Sequence, residues 1–283
     1  LFRINRTQVT ELQGSSAKIE KSLQSQIEAN LDIYLGVRFL ATEYSTGSNH
    51  GGRIDTLGSD ENGSPVIIEY KRAMNENVIN QGLFYLDWLL DHKAEFELLV
   101  LKDFGKESSD NIDWNNPRLL CIAGDFTKFD EHAVKQMNRN IELIRYRRFG
   151  DDLLLLELVN VAEARNGSQD SPSSSNKQEY KTVSEYLESA NQELTDLYHS
   201  LRDYLLSLGD DVQEKTLKYY IAYKRIKNFA CVEVHPQSNK LYVFIKVDPE
   251  EVELEKGFTR DVRKVGHYGT GDLEITIRNE KDL

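Results

Sequence analysis

The stretch "GGRIDTLGSDENGSPVIIEYKR", residues 51–72, joins two short apolar runs through a polar segment. "RIDTLG" and "VIIEYK" have the length and composition of strands, and "SDENGSP" between them carries the Gly, Pro, Asp and Asn that favour a turn. The sequence therefore predicts a β-hairpin. Asp55, Glu69 and Lys71 lie on it, although charged side chains are rarely buried unless they are paired or bind a metal.

The spacing of these charges suggests a metal site. Glu69 and Lys71 are two residues apart, so both side chains leave a strand from the same face. Asp55 is on the partner strand, and cross-strand neighbours approach to ~5 Å, so Asp55 and Glu69 can share a divalent cation. The backbone carbonyl of Tyr70 is a third candidate ligand for a cation that prefers oxygen, such as Mg²⁺. Lys71 would orient a metal-bound water and stabilise phosphate charge, as phosphodiester hydrolysis requires.

The next segment, "NENVINQGLFYLDWLLDHK" at 75–93, has helical periodicity. Gln81 and Tyr85 are four residues apart and share one face of the predicted helix. Their polar groups can supply hydrogen bonds to a phosphate or to the attacking water.

The alternative is an ordinary amphipathic hairpin whose charged residues face water and form no functional site. A Glu-x-Lys pair is common by chance, and Gly51 and Gly52 also fit an ordinary turn. Glu43 on the preceding predicted strand fits either a further acidic group of the site or a surface residue.

The combination "RIDTLG…VIIEYKR…QGLFY" resembles the PD-(D/E)XK nuclease superfamily, whose common core is an α-β-β-β-α-β unit. The Q-x-x-x-Y element is similar to that of RecB-type and NucS-like nucleases, and "IEKSLQSQIEANL" resembles their first helix. The resemblance implies Asp55 and Glu69 as metal ligands and Lys71 as the catalytic lysine. It implies Gln81 and Tyr85 as supporting active-site groups. Ile54 stands where the motif's name has Pro.

The first helix of such nucleases places an acidic residue toward the metal. Glu20 is the better match and a further candidate ligand, with Glu28 second. The resemblance also implies Mg²⁺ or Mn²⁺ as cofactor, DNA as substrate with RNA left open, and a homodimer, because family members often pair to cut both strands.

Five arginines are candidate nucleic-acid contacts. Arg53 and Arg72 flank the hairpin site and can touch backbone phosphates. "RYRRF" at 145–149 mixes Arg145, Arg147 and Arg148 with aromatic residues, as DNA-binding surfaces do. Exposed charges at strand ends and edges explain the same residues equally well.

The pattern of elements predicts a mixed α/β fold: a restriction-endonuclease-like sheet flanked by helices, followed by a smaller α+β domain. The expected order in the first part is α-β-β-β-α-β-β-α-β-β, with a helix over 15–36, buried strands at 96–101 and 117–124, a helix over 129–140 and a closing strand pair. The second part begins with helical sequence at 182–209 and continues with a hairpin over 229–247 and a strand at 272–279.

The domain boundaries follow from composition. "ARNGSQDSPSSSNKQEY" at 164–180 is rich in Ser, Asn and Gln and predicts a flexible linker. The expected organisation is a nuclease-like domain at 1–160, a linker at 161–180 and an accessory domain at 181–283. The second domain resembles an uncharacterised domain, sometimes labelled a predicted transport protein, found at the C-terminus of similar nuclease-like proteins.

The overall composition fits a protein of the cytoplasm. The chain has 283 residues with 39% hydrophobic and 29% charged residues, and no apolar run approaches the ~20 residues of a membrane span. Its two cysteines, Cys121 and Cys231, are far apart, which favours a reducing compartment. The net charge of −12 argues against non-specific coating of nucleic acid but not against an enzyme with a local basic surface.

The charged residues of the hairpin together with the family resemblance imply a metal-dependent deoxyribonuclease for repair or defence against foreign DNA. The alternative is a non-cleaving module of the same fold that binds nucleic acid or senses a ligand.

Overall fold

The computed structural model describes residues 1–6, 8–15, 20–71, 77–150, 152–162 and 182–283. It divides into two compact units, 1–169 and 170–283. Most of the predicted linker, from residue 163 onward, lies outside the described residues. Within the described part of the chain, no helix is long and apolar enough to cross a membrane.

The first unit contains strands β1 to β9 and helices α1 to α7. The strands are β1 (Phe2–Asn5), β2 (Gln8–Glu11), β3 (Gly14–Ser15), β4 (Val37–Ser45), β5 (Arg53–Asp60), β6 (Pro65–Lys71), β7 (Arg118–Ala123), β8 (Asn140–Phe149) and β9 (Leu153–Ala162). The helices are α1 (Glu20–Glu28), α2 (Leu31–Leu35), α3 (Gly47–His50), α4 (Asn77–Asp91), α5 (Lys93–Phe104), α6 (Lys106–Asp110) and α7 (Lys128–Gln136).

Its central feature is a seven-stranded mixed sheet in the order β3-β8-β7-β6-β5-β4, with β9 paired to β8. The β4-β5-β6 meander is antiparallel, whereas β6, β7 and β8 run parallel. Together with α1 and α4, these strands follow the predicted α-β-β-β-α-β order. The predicted mixed α/β fold class is confirmed.

Continuous apolar sequence places β6 and β7 in the middle of this sheet. Every residue of β7 is buried, and so is every residue of β6 except Lys71, as expected for parallel strands covered on both faces. Helix α4 packs against one face, where Leu86 and Leu89 belong to the same buried apolar core as Ile67 and Leu119. Helix α1 packs on the other face, where Glu28 reaches Thr56 of β5.

The prediction of a buried strand at 96–101 is wrong, because these residues lie within helix α5. Only Phe96 and Val100, four residues apart, are buried, while Leu98 is 65% exposed and Leu101 44% exposed. The apolar residues of this segment belong to a helix that buries only one side. Lys, Ala, Glu and Leu around it are also good helix formers.

Two predicted helices are shorter than expected, and the one predicted over 129–140 is α7, which ends at Gln136. The segment 15–36 contains α1 and α2, which are separated by a turn at Ala29–Asn30, and residues 16–19 lie outside the described part. Gly36 ends α2 in the left-handed conformation, with φ 63°, as predicted for a glycine stop.

A buried ionic triad joins three strands at the end of the sheet away from Lys71. The Arg118 guanidinium of β7 donates to both carboxylate oxygens of Glu142, at 2.8 and 2.9 Å, and to Asp60 Oδ2 at 2.8 Å. All three side chains are at most 4% exposed. The other Asp60 oxygen accepts the backbone N–H groups of Asn62 and Ser64, so it fixes the β5–β6 turn.

The second unit is the smaller α+β domain that the sequence predicts. Its helices are α8 (Val183–Glu188) and α9 (Gln192–Ser207), and its strands are β10 (Gln213–Thr216), β11 (Ile221–Lys224), β12 (Asn228–His235), β13 (Lys240–Ile245), β14 (Thr259–Asp261) and β15 (Leu273–Ile277). The strands form an antiparallel six-stranded sheet in the order β10-β11-β12-β13-β15-β14. The apolar side of α9 packs on one face against residues such as Val232 and Val243.

Candidate active site

The sheet forks where the predicted site residues lie. The β5–β6 ladder pairs Ser59 with Pro65 and ends at Thr56 opposite Ile68, although β5 begins at Arg53 and β6 ends at Lys71. Continued in register, Asp55 and Glu69 would be the next pair.

Beyond this point each strand stays with its other neighbour. β5 remains paired with β4 down to Arg53, opposite Ser45. β6 remains paired with β7 up to Lys71, opposite Ala123. The opening between β5 and β6 therefore lies between two strands that are each still paired on their other side.

Asp55 and Glu69 bridge the opening with their side chains. The Asp55 N–H donates to Glu69 Oε1 at 3.1 Å, and the Tyr70 N–H donates to Asp55 Oδ2 at 3.0 Å. Each carboxylate thus accepts a backbone N–H of the opposite strand. This reciprocal arrangement brings two acidic groups together, as the hairpin in the sequence predicts.

Glu69 is fully buried, with 0% exposure. Burial, and after it the neighbouring Asp55 carboxylate, raise the pKa of Glu69 from the usual 4.5 to about 9. The Asp55 N–H and the Lys71 ammonium act in the opposite direction. Without a cation the pair therefore retains a proton at neutral pH, because two carboxylates this close cannot both ionise cheaply.

Helix α4 supplies the polar groups predicted for it. Gln81 Nε2 donates to Glu69 Oε2 at 2.9 Å and lies 3.5 Å from the Tyr85 hydroxyl. The same hydroxyl accepts the backbone N–H of Arg53 at 3.2 Å. Gln81 therefore binds the β6 side of the fork and Tyr85 the β5 side.

Two glycines allow this close approach. A Cβ built on Gly82 would overlap the Leu119 side chain, and one built on Gly52 would lie 2.7 Å from the Tyr85 ring and hydroxyl. Gly82 lets α4 sit low on β7, which brings Gln81 within reach of Glu69. Gly52 serves packing against Tyr85, whereas Gly51 adopts the left-handed conformation of a turn, with φ 65°.

Lys71 ends β6 in a half-buried position and acts electrostatically on Glu69. The Tyr70 ring is buried on the α1 side, where its hydroxyl lies 3.4 Å from Thr56 Oγ1. Glu20 begins α1, but its side chain lies outside the described residues, as does all of Arg72. The proposed metal-ligand roles of Glu20 and the Tyr70 carbonyl remain predictions.

Glu43 stands at the register position opposite Asp55, between the pairs Thr42–Thr56 and Tyr44–Ile54. Its backbone is left-handed, with φ 49°, a conformation that is uncommon outside glycine. Its carboxylate contacts Lys21 at 2.7 Å and Arg53 at 3.6 Å. The Lys21 hydrogen bond lowers the Glu43 pKa. The two distances make Glu43 an ion-pair partner of exposed cations.

The arginines of "RYRRF" differ in position. Arg145 shares a register row with Ala123 and Lys71, so it lies at the same end of the sheet, about 10 Å from Lys71 at the usual strand spacing. It is ion-paired with Glu157 at 2.7 Å and Asp125 at 3.2 Å. Arg147 is exposed, and Arg148 donates to Gln26.

The sequence interpretation missed Gln24 of α1. This side chain is 3% exposed, and its Nε2 lies 2.8 Å from the Asp55 carbonyl oxygen. A polar residue on the apolar side of the helix, beside Leu23 and Ile27, was the available signal. The family resemblance implies an acidic residue on this helix, and therefore Glu20 or Glu28 instead.

The donor set is small. Within the described residues, no group of three or more His, Cys, Asp or Glu side chains is placed to hold a metal ion. The fork thus offers two carboxylates, Asp55 and Glu69, together with the backbone around them.

Comparison with known families and curated proteins gives two matches. Residues 183–282 match a family described as a domain of unknown function, DUF5655, which confirms the prediction of an uncharacterised C-terminal domain. The whole chain is similar to an uncharacterised protein of Haemophilus influenzae. The two are 28% identical over 297 residues, a match that covers 100% of this chain and 95% of the relative.

Two solved structures are similar to about half of the chain. A repair endonuclease from Pyrococcus abyssi is 19% identical, with a TM-score of 0.31 over 46% of this chain and 48% of that one. A complex of EndoMS with double-stranded DNA is 17% identical, with a TM-score of 0.30 over 50% of this chain and 49% of that one. The chain thus spans about half the length of each.

Proposed function

We propose that this protein is a divalent-metal-dependent nuclease that hydrolyses DNA phosphodiester bonds at the fork between β5 and β6. The observation that supports it is the pair of carboxylates bridging the fork, with Glu69 fully buried beside Asp55. Burying a carboxylate next to a second acid is costly unless a cation compensates it. Such an arrangement is more typical of a functional site than of a structural one.

The residues fit Mg²⁺ or Mn²⁺. Mg²⁺ is usually held by one or two carboxylates, with water and substrate phosphate completing its coordination. Asp55 and Glu69 would supply the carboxylates, with the Tyr70 carbonyl and Glu20 as further ligands. When bound, the cation would lower the pKa of a water molecule and polarise the phosphate.

The chain's own groups have distinct roles in this proposal. Gln81 donates a hydrogen bond to Glu69 Oε2. This bond fixes the orientation of the Glu69 carboxylate and favours its ionised form. Lys71, at the end of β6, stabilises the charge that develops on the phosphate oxygens. In the reaction the water oxygen bonds to phosphorus, the bond from phosphorus to the leaving sugar oxygen breaks, and one water proton ends on that oxygen. Tyr85 fixes the Arg53 backbone beside Asp55.

Substrate contacts would come from cations around the fork. Arg53 is 69% exposed in its side chain, and Arg145 lies on the same register row as Lys71. Both are suited to backbone phosphates, which carry no sequence information. Two copies of the chain would provide one site for each strand of a duplex.

The test is a cleavage panel with the purified protein. Duplex, branched, mismatched and single-stranded DNA and matching RNA would be incubated with Mg²⁺ or Mn²⁺ and with chelator. Cleavage is expected in metal only. Asp55→Ala and Lys71→Ala should abolish it while the melting temperature stays near that of wild type. Asp87→Asn, a change of a carboxylate on the exposed side of α4, is the matched control and should cleave normally.

The outcome also separates the alternative function. Calorimetric titration of Mn²⁺ should show binding that Asp55→Asn removes. Undiminished cleavage by either alanine variant would overturn the mechanism. Absence of both cleavage and Mn²⁺ binding would favour a non-cleaving module. Sedimentation equilibrium of the same sample would decide whether two copies associate.

A further inference from the structure

Asp55 is the position at which β5 departs from regular sheet geometry on both sides. Toward β6 the ladder ends one residue away, at Thr56. Toward β4 the residue opposite Asp55 is Glu43, whose φ of 49° departs from the extended backbone on which a ladder depends. A metal ligand, by contrast, has to be held within a fraction of an ångström.

Gln24 supplies a contact to Asp55 from outside the sheet. Its Nε2 lies 2.8 Å from the Asp55 carbonyl oxygen, 3.0 Å from Glu28 Oε1 and 3.2 Å from Thr42 Oγ1. A backbone carbonyl and a carboxylate can only accept hydrogen bonds. The amide nitrogen must therefore face them, and Lys21 Nζ donates to the amide oxygen at 3.3 Å on the opposite side.

Glu28 keeps Gln24 in this orientation. The same Oε1 atom that faces Gln24 also accepts a hydrogen bond from Thr56 Oγ1 at 2.6 Å. Because Thr56 is the next residue after Asp55 and is itself fully buried, Gln24 and Glu28 form a closed connection from α1 to β5 at the fork.

We infer that Gln24 is a positioning residue for Asp55: it holds the β5 backbone so that the Asp55 carboxylate stays against the Tyr70 N–H and beside Glu69. Its link to metal binding rests on the proposed function. A neutral donor suits this position better than an acid, since a carboxylate in place of the amide would face the Asp55 carbonyl and Glu28 and repel both. Helix α1 thus contributes to the fork a neutral amide that donates to the Asp55 carbonyl oxygen.

The test that does not require metal is amide hydrogen exchange by NMR on the metal-free protein. Gln24→Met keeps the length and removes the donor, and Gln24→Glu reverses the polarity. Exchange at the amides of Asp55 and Tyr70 should rise about 10-fold in Gln24→Met, the loss of one net hydrogen bond, and more in Gln24→Glu. Amides of Leu120 and Ile122 in β7 should be unchanged.

The matched controls are Gln136→Met and Gln136→Glu, which change an exposed glutamine of α7. Both should exchange like wild type at all four amides. A uniform rise across the sheet in the Gln24 variants would mean a structural role only, and unchanged exchange would mean no role. Either result would overturn the inference.

Mn²⁺ calorimetry is the second readout. Gln24→Met should weaken Mn²⁺ binding 10- to 100-fold, as is usual when a group that orients a ligand is lost, and Gln24→Glu should weaken it further. If the wild type binds no Mn²⁺, the proposed function fails, and amide exchange still decides whether Gln24 positions Asp55.

Discussion

Gln81 donates a hydrogen bond to Glu69 Oε2 at 2.9 Å and is the contact by which α4 reaches the buried acid of β6. The bond joins a half-exposed amide to a fully buried carboxyl group. An ionised Glu69 gains more from this donor than a protonated one does, because hydrogen bonds to charged acceptors are the stronger ones.

Gln81→Met should therefore weaken Mn²⁺ binding and DNA cleavage by about 10-fold or more, while the melting temperature changes little. Calorimetry and cleavage assays on the same preparation check this. Gln136→Met again serves as the control for removing a helical glutamine. Full affinity in Gln81→Met would show that Glu69 needs no support from α4.

Glu69→Gln should change the pH dependence of stability in the metal-free protein. The folded-state pKa of Glu69 is raised to about 9 from 4.5. The contribution of this group to the free energy of unfolding is therefore fully present below pH 4.5. It is lost as pH rises toward 9, because over this interval the folded protein keeps a proton that the unfolded chain releases. Over that interval the wild-type free energy of unfolding should fall by up to ~1.4 kcal/mol per pH unit from this group. Glu69→Gln should remove this slope and unfold at a higher temperature than wild type at pH 8.

Adding Mn²⁺ at pH 8 should raise the unfolding temperature of the wild type above that of Glu69→Gln. The wild type gains stability from binding a ligand to the folded state, and Glu69→Gln gains little. Thermal unfolding scans with and without Mn²⁺ measure both effects. A metal-free wild type more stable than Glu69→Gln at pH 8 would contradict the raised pKa.

Gly82→Ala should destabilise the first unit by about 1–3 kcal/mol, the usual cost of overpacking, because the added methyl group would overlap Leu119. It should also weaken Mn²⁺ binding, since lifting α4 from β7 moves Gln81 away from Glu69. Urea unfolding and calorimetry are the measurements. The control is Ser25→Ala, which changes an exposed residue of α1 and should have little effect on either measurement.

Arg118→Met should cost about 3–5 kcal/mol, since it leaves Asp60 and Glu142 buried without their cation. Arg139→Met, which removes an exposed ion pair with Asp87, should cost less than about 1 kcal/mol. Denaturant titrations of the two variants compare the pairs directly. Similar costs would mean that the buried triad stabilises no more than a surface pair.

The hairpin and the strands around it were predictable from sequence because their signals are local. "RIDTLG" and "VIIEYK" are short runs of strand length and composition, and strong turn residues separate them. The helix with Gln81 and Tyr85 has a clear apolar side. Asp55 opposite Glu69 follows from hairpin register, and Gln81 one turn before Tyr85 follows from helical spacing.

Other features depend on contacts between distant parts of the chain. The fork requires β5 and β6 to prefer different neighbours, and β7 lies about fifty residues further along the chain than β6. The Asp60–Arg118–Glu142 triad joins three separate strands, and nothing near any of them in sequence indicates the others. Segment 96–101 shows a different limit, since four apolar letters in a row fit a buried strand and a half-exposed helix alike.

The two proposed ligands belong to strands with separate supports. Asp55 is carried by β5, which β4 and Gln24 hold, and Glu69 is carried by β6, which β7 and Gln81 hold. Beyond the last β5–β6 pair, Thr56–Ile68, the gap between the carboxylates therefore depends on two strands that are each braced from their own side. Changes on the β4 side could adjust that gap to the radius of a different cation while the buried parallel strands stay as they are.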